Sequence, residues 1–201
     1  MAEPRRESPL GRSPAATPNR LIEWPRLRVE ELPFRAILVL HGRTGVPRFA
    51  QGVARVLGLP PPDAPNTFIE SRFGPEAVVI AWAGPEEWLV IGQEEGTSGL
   101  RVALRQAIPE ADGAVVDASS GFTLFSLLGP QARDLIAAGC TIDVHPRVFG
   151  PRRCAHTLYA GTGVCILERD ETPRFELLVR RSYADWLWRW MEASAELLAV
   201  E

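Results

Sequence analysis

The chain has 201 residues, of which 46% are hydrophobic and 23% charged, with a formal net charge of −3. These are ordinary values for a soluble globular protein, and a slightly acidic chain has no electrostatic drive toward nucleic acid or an anionic membrane. All 22 basic residues are arginine, which excludes Schiff-base chemistry, a lysine-anchored pyridoxal cofactor and a Walker-type phosphate loop.

Residues 1–20, MAEPRRESPLGRSPAATPNR, are rich in Pro, Arg and Ser and poor in large apolar side chains. Such a segment buries too little surface to offset its ordering entropy and is expected to be a disordered tail. Leu21 to Leu32 reads as a short charged arm, with Trp24 anchoring it to the body. From Phe34 the pattern is regular. FRAILVLH (34–41) predicts a buried strand, turned by Gly42 and Gly45. Pro47 suits a first helical position, Phe49, Val53, Val56 and Leu57 recur at helical spacing, and Gly58 stands where a left-handed terminator belongs. LPPPDAP then makes a loop. AVVIAWA and EWLVIG predict two strands joined at Gly84-Pro85-Glu86. Leu100, Ala103, Leu104 and Ile108 mark a second helix, and GAVVDAS a further strand.

The order strand, helix, strand, strand, helix, strand then begins again. FTLFSLL (122–128) is a strand, and Pro130 opens a helix to Ala138 that Gly139 stops, with Arg133 and Asp134 placed to face water. Strands follow near CAHTLYA, GVCILER and RFELLVR. A last helix starts at Tyr183 behind the N-cap Ser182, with Asp185 in its first turn. The expected fold is α+β: one globular domain over 21–201, made of two pseudo-repeats (about 34–118 and 121–198) with antiparallel sheets.

A reducing compartment suits three cysteines with no close pair. The longest apolar runs fall short of the ~20 residues a membrane helix needs, and the N-terminus carries no signal-peptide core. The expectation is a cytoplasmic protein.

Three constellations invite a chemical reading. Cys140, His145, Cys154, His156 and Cys165 offer metal-ligand types, yet no C-x2-C or H-x3-5-H pair joins them. Cys140 with His145 or His156, oriented by Asp143 or Asp117, has the composition of a nucleophilic site, but nothing nearby activates the thiol and Pro146 favours an extended loop. Asp117, Ser119 and Ser120 in VDASSG suit either a ligand or an ordinary turn, and the turn is favoured. No catalytic, cofactor-binding or metal-ligating residue is therefore assigned. On the last helix Tyr183, Trp186, Leu187, Trp190, Met191, Leu197 and Leu198 form one apolar stripe. Trp188 falls off it, beside Asp185 and Glu192, and is the candidate subunit-interface anchor.

Three blocks in order resemble the gamma subunit family of heterotetrameric sarcosine oxidases: AWAGPEEWLVIG, VDASSGFTLFSLLGPQARDLIAAGCTIDVHPRVFGPRRCAHT and RFELLVRRSYADWLWRWM. The likeness is good over roughly residues 75–195 and weaker over 30–74. It implies a fold like the folate-binding domain of aminomethyltransferases. It also implies a non-catalytic, stabilising place beside alpha, beta and delta subunits. That complex demethylates sarcosine oxidatively to glycine, passes the one-carbon unit to tetrahydrofolate or releases formaldehyde, and makes hydrogen peroxide. FAD, FMN, NAD, tetrahydrofolate and zinc are then expected in the other subunits. The alternative is a stand-alone folate-binding enzyme of the aminomethyltransferase type; those enzymes carry a further C-terminal domain, whereas this sequence ends with its last helix.

Overall fold

In the computed structural model, residues 7–11, 21–93 and 97–198 are described. The main elements are β1 (Leu21–Trp24), β2 (Leu27–Leu32), β3 (Ala36–Gly42), α1 (Pro47–Leu57), β4 (Phe68–Phe73), β5 (Glu76–Gly84), β6 (Glu87–Gly92), α2 (Thr97–Ala107), β7 (Gly113–Asp117), β8 (Phe122–Leu128), α3 (Ala132–Gly139), β9 (Cys154–Tyr159), β10 (Thr162–Asp170), β11 (Arg174–Arg180) and α4 (Ala184–Leu198). They build a five-stranded sheet of order β4-β5-β6-β3-β7 and a six-stranded sheet of order β1-β2-β8-β11-β10-β9. No described helix is long and apolar enough to cross a membrane.

The described chain divides into two compact units, one of Phe34–Gly121 with Arg152–His156, the other of Met1–Pro33, Phe122–Pro151 and Thr157–Glu201. In the first unit Pro47 opens α1 and Gly58 closes it in the left-handed conformation (φ 75°), its N–H donating to the Ala54 carbonyl. That is the termination expected of glycine at this position. Leu38, Leu40, Val78, Ile80, Trp88, Val90 and Val115 supply the strand side of the core, and Phe49, Val53, Leu57, Leu100 and Leu104 the helix side. The second unit packs Leu135 and Ile136 of α3 and Leu187, Trp188 and Met191 of α4 as fully buried side chains. Phe125 of β8 meets the Trp188 ring at 5.8 Å.

The two units share one topology. Strand for strand, the order β4-β5-β6-β3-β7 corresponds to β9-β10-β11-β8-β2. Both long hairpins carry a register shift at the same place, between Trp82 and Gly84 against β6 and between Glu168 and Asp170 against β11. The second copy takes its last strand from the N-terminal side. β2 pairs antiparallel with β8, Val29 opposite Leu127, as β7 pairs with β3, Val116 opposite Val39.

Several expectations are corrected. The segment Leu21–Leu32 is the strand pair β1–β2, with Ile22, Leu27 and Val29 buried. Most of the expected tail lies outside the described residues, but residues 7–11 form a turn that buries Leu10. A fifth strand in the first unit, β4, joins the four expected. The helix opened by Pro130 starts at Ala132, and Arg181–Tyr183 form a 3-10 turn ahead of α4, so Ser182 lies inside that turn.

Candidate interaction surface

The loop after α3 uses its reactive-looking side chains to shape itself. Asp143 Oδ1 accepts the His145 N–H at 2.8 Å, and His145 Nδ1 accepts the Arg147 N–H at 3.3 Å. The His145 carbonyl then accepts the N–H groups of Val148 (2.8 Å) and Phe149 (2.9 Å). These are self-bonded turns of the kind Asp and His side chains make with backbone two residues on. Arg133 locks the loop from below. Its Nη1 donates to the carbonyls of Val144 and Phe149, its Nη2 to Glu168 Oε1, and its guanidinium lies 5.0 Å from the Phe175 ring centroid. Arg133 does not face water: its side chain is 15% exposed and that of Glu168 1%. Burial raises the Glu168 carboxyl above its usual value, and Arg133 opposes the rise.

Cys140 is half-buried at the end of α3, its N–H donating to the Ile136 carbonyl and its backbone bridged to Tyr159. Cys154 is buried in the first unit, its Sγ 3.3 Å from the Thr67 carbonyl and 3.5 Å from that of Trp82. Desolvation pushes this thiol up to about 12, so it stays protonated and is no nucleophile. His156 is exposed two residues further along β9, and Cys165 is buried in β10. Among the described residues, no group of three or more His, Cys, Asp or Glu side chains is arranged to hold a metal ion. Asp117 Oδ1 accepts from both the N–H (3.0 Å) and the hydroxyl (2.6 Å) of Ser119, and Ser119 Oγ accepts the Ile37 N–H at 3.0 Å. VDASSG is a turn that ties β7 to β3.

Several large apolar side chains are left facing solvent. Trp188 is not among them. It is 2% exposed, because the buried arc of α4 is Ala184, Leu187, Trp188, Met191 and Ala195. The two alanines mark the close-packed side, and the larger side chains Tyr183, Trp186 and Leu197 stand outside at 50%, 57% and 74% exposure. The expected stripe is therefore rotated by about a quarter of a turn. Trp186 is held at the surface instead: its indole N–H donates to the Ala160 carbonyl at 3.2 Å, while the side chain stays exposed. Trp190, half-buried beside it, meets the Tyr159 ring edge-on at 5.1 Å. The Tyr159 hydroxyl is buried and donates to the Leu135 carbonyl at 2.8 Å, so desolvation raises its phenol. The sequence carried one signal for this face: Arg189 pairs with Asp185 at 2.9 Å one turn away, which fixes the polar side of α4.

These features define a class: a duplicated antiparallel α+β protein whose Asp117, Asp143 and His145 shape turns, whose Cys154 is buried, and whose last helix leaves Trp186 and Leu197 exposed. The fold agrees with solved structures. A chain of the heterotetrameric sarcosine oxidase from Corynebacterium sp. U-96, in complex with pyrrole 2-carboxylate, superposes with a TM-score of 0.81 at 24% identity, covering 96% of each chain. The glycine cleavage system aminomethyltransferase T from Bartonella henselae gives 0.59 at 12% identity, over 80% of this chain and 44% of that one. Among curated proteins, sarcosine oxidase subunit gamma from Corynebacterium sp. (strain U-96) is 31% identical over 123 residues, 61% of this chain and 58% of the relative. The subunit of the same name from Arthrobacter sp is 34% identical over 96 residues, 48% of this chain and 46% of the relative. The matched stretch thus spans about half the length of these relatives. The profile of the sarcosine oxidase, gamma subunit family matches residues 41–196. The chain belongs to that family.

Proposed function

We propose that this chain is the gamma subunit of a heterotetrameric sarcosine oxidase and serves assembly rather than chemistry. The observation that carries the reading is the extent of the family match, 41–196, which runs from β3 into α4 and so takes in both units. The commitment of Cys154, Asp117, Asp143 and His145 to buried or turn-forming hydrogen bonds supports a non-catalytic role. In this reading the partners are the alpha, beta and delta subunits, which hold FAD, FMN, NAD, tetrahydrofolate and zinc. The complex converts sarcosine to glycine with one-carbon transfer and hydrogen peroxide formation. We place it in the cytoplasm, where Cys140, Cys154 and Cys165, none of them in a disulfide, stay reduced.

The test is co-expression with the three partner subunits. Co-purification in a stable complex supports the assembly role, and a chain that elutes alone would sink it. Titration of the isolated chain with tetrahydrofolate separates the reading from a folate-binding enzyme. No heat of binding is expected, and micromolar affinity would favour the enzyme.

A further inference from the structure

Residues 7–11 form a tight turn built around one hydroxyl. The Gly11 N–H donates to the Ser8 carbonyl at 2.9 Å and the Leu10 N–H to Ser8 Oγ at 3.1 Å. The Ser8 hydroxyl donates in turn to Glu31 Oε2, and Glu31 Oε1 accepts from the Thr123 hydroxyl at 2.8 Å. Arg181 donates to the Glu7 carbonyl from the 3-10 turn before α4. Leu10 is 2% and Glu31 3% exposed. The turn therefore fastens across β2, the strand that completes the second unit, and its fastening point is a buried carboxylate held by two neutral hydroxyls.

That arrangement tolerates a neutral hydroxyl and little else. A negative charge on Ser8 Oγ would remove the donated hydrogen and set like charges together at a buried site, where repulsion is far stronger than in water. Ser8 also follows Arg5-Arg6-Glu7 and precedes Pro9. Two guanidinium groups two and three residues upstream of a serine are what an acidic substrate groove on a kinase recognises by charge-assisted pairing. We propose that Ser8 is a phosphoryl-acceptor site and that residues 7–11 are a clasp that this modification opens. In the transfer, Ser8 Oγ attacks the γ-phosphorus of a nucleoside triphosphate as the bond to the β,γ-bridging oxygen breaks. The nucleoside diphosphate leaves, and the hydroxyl proton passes to a base on the kinase. The product carries roughly −1.5 to −2 charge beside Glu31. This proposal does not depend on the assignment to an oxidase complex.

The experiment uses the full chain with phosphoserine installed at position 8. Amide exchange at Leu10 and Gly11 is expected to quicken by about tenfold or more relative to the unmodified chain. In a Glu31→Gln background the quickening is expected to vanish, because the carboxamide donates to the phosphate. Unchanged exchange overturns the clasp, as does slower exchange, which would mean that Arg181 captures the phosphate. Equal loosening in the Glu31→Gln background would also overturn it. In a second arm, an arginine-directed serine kinase with ATP should add one phosphoryl group to the chain and none to Ser8→Ala. Failure to modify Ser8 removes the site.

Discussion

Gly139 lies directly against the indole of Trp190: a methyl group on its α-carbon would stand 2.5 Å from Cη2 of that ring. Gly139 is the last residue of α3 and has no left-handed φ. The helix ends instead at Cys140, an extended residue (φ −91°, ψ 144°) whose N–H still reaches Ile136. The glycine is there for close approach. With a Cβ at that position, Trp190 could not reach the edge of Tyr159, whose hydroxyl in turn holds the Leu135 carbonyl of α3. This gives the glycine of GCTIDVHP (139–146) a packing role.

Gly139→Ala is accordingly expected to lower unfolding stability by about 1–3 kcal/mol, the usual cost of overpacking a rigid contact. In a Trp190→Ala background the same methyl should cost little, because the clashing ring is gone. Denaturant unfolding of the four variants checks this. An equal cost in both backgrounds would locate the strain somewhere other than the indole.

Two tryptophans two residues apart on α4 should behave oppositely. Trp188→Ala empties a core position against Phe125 and is expected to cost about 3–5 kcal/mol in stability. Trp186→Ala should stay within about 0.5 kcal/mol, as exposed substitutions do. Under the assembly reading it should nonetheless weaken capture of the chain by its partner subunits, since exposed tryptophans concentrate binding energy. Thermal melts and co-purification of both variants give the two readouts. Equal loss of stability in both would put Trp186 in the core as well.

The phase of α4 shows where sequence reasoning reaches its limit. Tyr183, Trp186 and Trp190 outweigh Ala184 and Ala195 in any apolar pattern, yet small residues let the helix approach its sheet closely. Buried strands such as EAVVIAWAG were legible because both faces are covered and the apolar run is nearly continuous. FIESRF was missed because β4, at the end of its sheet, carries charged residues at alternate positions. LRVEEL was missed because its charges hide a strand: Glu31 is buried only by virtue of Ser8 and Thr123, hydroxyls 23 and 92 residues away. The turns at Asp117 and Asp143 were within reach, since each carboxylate bonds a residue two positions on. Arg133 was not, because its partners Val144, Phe149 and Glu168 meet it only in three dimensions.

Removing Arg133 should be among the most damaging single changes in the chain. Arg133→Met strands Glu168 as a buried charge and leaves the Val144 and Phe149 carbonyls short of a donor, for an expected loss of about 3–5 kcal/mol at neutral pH. The pH dependence has a definite sign. The folded-state carboxyl of Glu168 already titrates above its unfolded value, so its ionised form opposes folding, and protonation relieves that cost as pH falls through the folded value. Without the guanidinium the rise is larger. The deficit of Arg133→Met relative to the parent is therefore expected to shrink between pH 7 and pH 5, as read by denaturant midpoints at each pH. A deficit that grows on acidification would mean that Arg133 acts through the loop carbonyls alone.

The thiols should separate by burial, with a consequence at high pH. Cys140 is half-buried, whereas Cys154 and Cys165 are almost wholly enclosed. Alkylation of the native chain at pH 8 is expected to label Cys140 first and the other two only on unfolding. For Cys154 the folded value of about 12 stands above the ordinary thiol value of 9.0. The folded state thus holds a proton that the unfolded chain has given up. Linkage then requires stability to fall as pH climbs from about 9 toward 12. Cys154→Ala removes this proton and should flatten that part of the alkaline profile, at a small constant cost from the lost side chain. If the alkaline decline is the same in Cys154→Ala, its source is another group, with Tyr159 next in line because burial raises its phenol as well.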